Sequence, residues 1–136
     1  KNGYECDDHD NWGWYPEERE EVANFIKNND IPVCIVSGDA HMSAIDDGTN
    51  SDYATNGGAP IPILHAGPLD RKPSIKGGPY SHGVSGIRGQ YGIMEITDNG
   101  GDELCIEWKI KNYKGEFVLN TEGELLQYSF CFQLDN

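Results

Sequence analysis

The tetrapeptide Gly38-Asp39-Ala40-His41 sets a carboxylate and an imidazole two residues apart behind a glycine. Side chains at that spacing reach one ligand only where the backbone turns sharply, and glycine tolerates such a turn. A carboxylate with a neutral imidazole suits a hard or borderline metal ion. The same residues also fit an ordinary turn, with Asp39 capping a helix that starts near Met42. Asp46, Asp47, Thr49, Asn50, Ser51 and Asp52 crowd oxygen atoms into one stretch. They can offer calcium its oxygen ligands, but they lack the spacing and closing Glu of an EF-hand, and a run of Asx turns is the competing reading. His65 and His82 are candidates to touch a substrate or to support a neighbouring ion; the alternative for each is a hydrogen-bonded loop histidine. Lys76 with Gly77-Gly78 can present backbone N–H groups to an anion.

The elements that must position these groups follow from pattern. Pro16 fits a first helical position, Glu17 and Glu18 favour the positive end of the helix dipole, and Val22, Phe25 and Ile26 give an apolar stripe. A helix is therefore expected at about 16–28. Val33-Cys34-Ile35-Val36-Ser37 is continuously apolar before its final serine, which predicts a short strand buried on both faces of a layered α/β sheet. That strand runs into the Gly38–His41 turn, and in such folds ligands collect at the carboxyl ends of strands. Residues 45–59 and 66–89 read as loops, with a short strand between them at 60–64. Loops of that length in a small domain are usually functional or specifically packed.

From Gln90 the period becomes two. Leu104, Ile106, Trp108 and Ile110 face one way in one strand, and Tyr128, Phe130, Phe132 and Leu134 do so in another. Asp98-Asn99-Gly100-Gly101 marks a hairpin before them. The C-terminal third is thus expected to be an antiparallel β-meander with one solvated face. Cys105 and Cys131 fall on the polar faces of its strands, so a disulfide is geometrically open to them if the strands are neighbours, and two unpaired thiols are the alternative. Cys34 reads as a core thiol. The four cysteines have no paired C-x-x-C spacing, which argues against a zinc site.

The chain has 136 residues, room for one domain or part of a larger one. Its 23 acidic residues outnumber 10 basic ones, for a formal net charge of −13. Such a surface repels phosphate backbones, so wrapping nucleic acid is not expected. No apolar run approaches the roughly 20 residues of a membrane span. No charged-then-apolar leader opens the sequence, so an exported form implies a signal that lies upstream or has been removed.

Several segments in order resemble one family. Asp10-Asn11-Trp12-Gly13-Trp14-Tyr15-Pro16-Glu17-Glu18-Arg19 resembles the signature before the last helix of PhoD-like (alkaline phosphatase D-like) metallophosphatases, and Val36-Ser37-Gly38-Asp39-Ala40-His41 resembles their final metal-binding motif. Ala44 to Tyr53, Lys76-Gly77-Gly78-Pro79-Tyr80-Ser81 and Gly89-Gln90-Tyr91-Gly92 recur there in the same order. The likeness spans about residues 10–110; beyond it only the strand pattern agrees. It implies that 1–136 is the C-terminal segment of a single domain, an α/β (α+β) calcineurin-like metallophosphoesterase sandwich, incomplete without upstream sequence. It also implies a phosphomonoesterase or phosphodiesterase, with Asp39 and His41 as catalytic metal ligands and iron and calcium as the ions. The expected partners are a phosphate ester and either the upstream part of the domain or a co-assembled chain, and the expected location is extracellular or periplasmic. Arg19 is expected to pair with Asp10. The family's other ligands match nothing here, since Asp7, Asp8, His9 and Asp10 precede the helix, so this chain alone is expected to be inactive. The competing function is a non-catalytic structural or binding module that keeps the fold within an extracellular assembly.

Overall fold

A computed structural model describes residues 12–134. A 3-10 turn at Trp12–Trp14 leads into α1 (Pro16–Asn28). Four short strands follow: β1 (Ile35–Ser37), β2 (Ser43–Asp46), β3 (Ile63–His65) and β4 (Val84–Ser85). Three longer ones close the chain: β5 (Gln90–Asp98), β6 (Glu103–Asn112) and β7 (Gln127–Gln133). The content is mixed α/β and mostly sheet.

The short strands form a mixed sheet in the order β1-β3-β2-β4. β1 runs parallel to β3, while β2 is antiparallel to both β3 and β4. The long strands form the expected antiparallel meander β5-β6-β7. The two sheets share one core: Ile45 of β2 and Leu64 of β3 are buried with Ile106, Trp108 and Ile110 of β6, and Val118 and Leu126 of the β6–β7 connection close the cluster. Trp108, fully buried, stacks edge-on against Phe130 with ring centroids 5.1 Å apart. Such pairs add about 0.5–1.5 kcal/mol beyond the area they bury. Where β5 meets the first sheet a side chain would not fit, since a Cβ on Gly92 would lie 2.8 Å from the Ala66 Cβ. Glycine in that strand permits a close backbone approach.

Several expectations change. α1 forms where predicted, but Val22 and Phe25 are 40% and 61% exposed, and the helix is seated through Ala23 on Ala54 and Ala59, with Ile26 partly buried beside them. Small residues let the helix come close to the 52–59 loop. There Lys27 Nζ donates to the carbonyls of Thr55 and Gly57, and Asn24 exchanges hydrogen bonds with Thr55. β1 is not buried on both faces: among the described residues it lies at the edge of its sheet, paired with β3 alone, and Val36 is 55% exposed. No helix starts near Met42; the chain enters β2, whose four residues are all buried. β2 therefore includes the first two residues of the expected 45–59 loop, and β4 lies inside the expected 66–89 loop. The strand expected at 60–64 forms at Ile63–His65. Asp7, Asp8, His9 and Asp10 lie outside the described residues, and so does the expected Arg19–Asp10 pair. Arg19 places its guanidinium 4.2 Å above the Tyr53 ring.

Cys105 and Cys131 sit directly opposite one another on β6 and β7 and are joined by a disulfide of 2.01 Å. Of the two readings left open by the sequence, the bridge is the one found. Cys34 is a free thiol packed beside the shared core, and burial pushes its pKa up.

Two outcomes follow. Gly92→Val should lower the urea unfolding free energy by about 1–3 kcal/mol, the usual cost of forcing extra methyl groups into a packed contact. An unchanged midpoint would contradict the close approach of the sheets at this position. Replacing Cys105 and Cys131 together with Ser should lower stability by about 3–4 kcal/mol, the loop-closure value for a cross-link spanning 26 residues.

Candidate functional site

β3 lies between β1 and β2 and hydrogen-bonds to both, which puts His65 level with Ser37 at the end of β1 and with Ala44 at the start of β2. The chain from β1 to β2 is the Gly38–Met42 turn, so His65 stands beneath it. Both ring nitrogens are used. The Ala40 backbone N–H donates to His65 Nε2 at 3.2 Å, and His65 Nδ1 lies 2.7 Å from Ser37 Oγ. An amide N–H can only donate, so Nε2 is the bare nitrogen, Nδ1 carries the proton, and the Ser37 hydroxyl accepts it. Burial pushes the His65 pKa below its ordinary value, and the neighbouring Asp39 carboxylate opposes this only in part. His65 is thus a neutral ring of one tautomer that holds the turn, with no lone pair left for an ion.

Other bonds strap the same turn. Ser74 N–H donates to the His41 carbonyl at 3.0 Å, Ala66 N–H donates to the Ser37 carbonyl at 2.9 Å, and Lys76 N–H points at Met42 Sδ at 3.2 Å. Ser43 Oγ donates to the Gly67 carbonyl at 2.6 Å. Within this frame Asp39 and His41 have φ of 71° and 56°, both in the left-handed region, while Gly38 does not. The sharp turn expected of Gly38 is therefore made by the two candidate residues themselves. That conformation costs a residue with a Cβ roughly 1–2 kcal/mol, somewhat less for Asp. Strain of this kind persists where the surroundings over-determine it, and it clusters at functional sites.

Asp39 is exposed and His41 half-buried, and among the described residues neither side chain makes a hydrogen bond. Among the described residues nothing occupies their donor atoms, and a carboxylate with an imidazole suits the ions considered above. In kind the pair fits a metal; in number it falls short. Among the described residues the one cluster of three or more ligand-type side chains close enough to share an ion is Glu103, Cys105 and Cys131, whose sulfurs are bonded to each other. Asp39 and His41 can form one corner of a metal centre and no more.

The oxygen-rich stretch resolves into Asx turns. Asp46 is buried, and its two oxygens accept from Gly48 N, Asn50 N, Asn50 Nδ2, Ser51 Oγ and Ser81 N at 2.7–3.0 Å. Burial alone would raise its pKa, but the bonds from Asn50, Ser81 and Ser51 outweigh it, and the pKa is lowered. Asp47 accepts from Thr49 N, and Asp52 from Gly58 N and Ala59 N. Carboxylates occupied in this way are turn-formers here.

His82 is not brought to the turn. Its N–H donates to the Ile45 carbonyl, beyond the midpoint of β2, while Asp39 and His41 precede Ser43. Its ring lies 4.4 Å from that of Tyr128, and Nε2 is 3.8 Å from Asp47 Oδ2. His82 thus joins the first sheet's loops to the meander. Two surface concavities, one along α1 and one between Asp30–Pro32 and Phe132–Leu134, contain none of the candidates. The roles of Ser37, Ser74 and the Ala40 amide were not anticipated. Ser37 lies within the quoted Val36–His41 segment, but the part played by Ser74 has no local sequence signal.

No family model, curated protein or solved structure matches the chain. The disulfide fits an oxidising compartment. Among the described residues no helix is long and apolar enough to cross a membrane.

His65 gives a pH test. A histidine whose folded pKa lies below its unfolded value of 6.5 contributes stability that is fully present above that value and is lost as pH falls through it toward the folded pKa. Urea stability should therefore drop on going from pH 7.5 to 5, and His65→Asn should remove much of that slope. In the same variant the Ala40 amide should exchange with solvent faster by NMR. If its protection is unchanged, His65 does not hold the turn.

Proposed function

We propose that the chain is the closing segment of a metal-dependent phosphoric ester hydrolase of the PhoD-like type, built on a calcineurin-like sandwich. The observation that carries this reading is the turn at the end of β1. There Asp39 and His41 keep their donor atoms free in a left-handed backbone that His65, Ser74 and Ala66 hold in place. Each would give one ligand to the ion cluster, iron and calcium by resemblance. Ions bound there would polarise phosphate oxygens and lower the pKa of a coordinated water. The chain's own contribution is to orient: the neutral His65 fixes the Ala40 amide, and the Ser74 amide fixes the His41 carbonyl. A third and fourth ligand must come from outside residues 12–134, from the upstream part of the same domain or from a co-assembled chain. An extracellular or periplasmic location agrees with the disulfide.

The shortage of ligands favours a second reading, a non-catalytic binding or structural module that keeps this fold. The exposed Val22, Phe25 and Val36 would then meet a partner.

Hydrolysis of p-nitrophenyl phosphate by the intact protein, with His41→Ala beside it, separates the two. The variant should lose more than about 100-fold in kcat/KM, beyond the 10–100-fold typical of groups that merely support a ligand. It should also lose bound metal by elemental analysis while keeping its melting temperature. Equal hydrolysis by both proteins would remove His41 from the chemistry, and no hydrolysis by either would favour the module.

A further inference from the structure

The charges of this acidic chain are unevenly placed. Between Ala66 and Met94 there are four basic residues, Arg71, Lys72, Lys76 and Arg88, against one acidic residue, Asp70; the other 22 of the 23 acidic residues lie elsewhere. Arg88 is paired with Asp70, its Nε donating to Oδ1 at 3.1 Å. The region's one carboxylate is thereby neutralised. Arg71, Lys72 and Lys76 are exposed, and among the described residues none of them forms an ion pair.

These three cations are tied to the candidate site by the backbone. Ser74, whose N–H is bonded to the His41 carbonyl, lies two residues after Lys72 and two before Lys76. Two residues span at most about 7 Å, so both lysines leave the chain close to His41. Lys76 is further held by its own amide on Met42 Sδ and by its carbonyl, which accepts the Tyr80 hydroxyl at 3.0 Å. Arg71 adjoins Lys72. A net positive island thus borders the Asp39–His41 turn within a chain whose net charge is −13.

We propose that Arg71, Lys72 and Lys76 form a cationic rim that receives small phosphate esters carrying a second phosphate group, the first lying at the Asp39–His41 corner, where the ions of the hydrolase reading would hold it. The inference rests on the hydrolase reading and names its substrate class. Exposed cations at the edge of a site attract a second anionic group more than they aid a lone one. A long polyanion such as a nucleic acid is disfavoured because it would have to run over the acidic remainder of the surface.

The test uses the intact protein and the triple variant Arg71→Gln, Lys72→Gln, Lys76→Gln. Calorimetry with pyrophosphate and with orthophosphate as probes should show pyrophosphate bound more tightly by the wild type. The variant should weaken pyrophosphate roughly tenfold (about 1.4 kcal/mol) and change orthophosphate little, since exposed charge contacts are individually modest. The pyrophosphate affinity should fall with salt in the wild type and less so in the variant. A variant that keeps charge, Arg71→Lys with Lys72→Arg and Lys76→Arg, should restore binding. Unchanged pyrophosphate affinity in the Gln variant overturns the rim, as does equal affinity of the wild type for the two probes. An oligonucleotide that binds as tightly as pyrophosphate and is released by the same substitutions overturns the small-ligand assignment. Loss of hydrolysis in His41→Ala is read separately, so a failed rim and a failed hydrolase reading give different results.

Discussion

The alternation of side chains along β3 ties the fold to the site. Leu64 and His65 are neighbours on a strand, so they face opposite sides of the sheet. Leu64 is 1% exposed and packs with Ile45, Trp108 and Ile110 in the core that both sheets share. Burying Leu64 therefore aims His65 outward, at the turn between β1 and β2. A register slip of one residue would exchange them, leaving an imidazole in the core and an aliphatic group under the turn. The meander, which contains neither Asp39 nor His41 nor the candidate histidines, matters to the site for this reason: β6 supplies the surface that sets the register of β3.

The same arrangement explains how two residues with side chains can hold a left-handed backbone. At Asp39 and His41 the local preference of the chain opposes the observed φ. The opposing constraints are bonds on either side of them: the Ala40 amide on His65, the His41 carbonyl on the Ser74 amide, and the Ala66 amide on the Ser37 carbonyl. None of these bonds uses the side chains of Asp39 or His41, so the turn is fixed while its donor atoms stay available. A turn made by Gly38 alone would cost less, but it would leave the two side chains less rigidly directed.

Much of this was legible in the residues, and the gaps have physical causes. The meander was readable because β6 and β7 each have one wet face, so Leu104 to Ile110 and Tyr128 to Leu134 show the period of two plainly. That reading also set Cys105 and Cys131 on faces where they could meet. β2 was not readable, because all four of its residues are buried and two of them are polar. Ser43 and Asp46 resemble loop residues until their partners, the Gly67 carbonyl and the 48–51 turn, are known. The stripe on α1 misled for the opposite reason: a helix can seat itself through Ala23 when the surface it meets offers Ala54 and Ala59. Asp39 and His41 were visible as a pair, whereas the bond from Ser74 to His41, made across more than 30 residues of sequence, leaves no local trace.

The carboxylates divide along the same line. A carboxylate can answer to backbone donors or to a cation, and each oxygen has few lone pairs to share. Asp46 is saturated by five donors, and Asp47 and Asp52 are engaged by their own turns, so the densest acidic stretch of the chain offers a metal little. Asp39 has a similar sequence context, after a strand and before a turn, yet accepts no hydrogen bond among the described residues. The difference lies in the backbone. In the Asp46 loop the amides of Gly48 and Asn50, two and four residues on, fold back onto the carboxylate, whereas at Asp39 no amide of the described residues does so. His65 fixes the turn through the Ala40 amide, whose N–H is shared with the Gly38 carbonyl, while the Asp39 carboxylate beside His41 accepts no bond from the described residues and can answer to a cation.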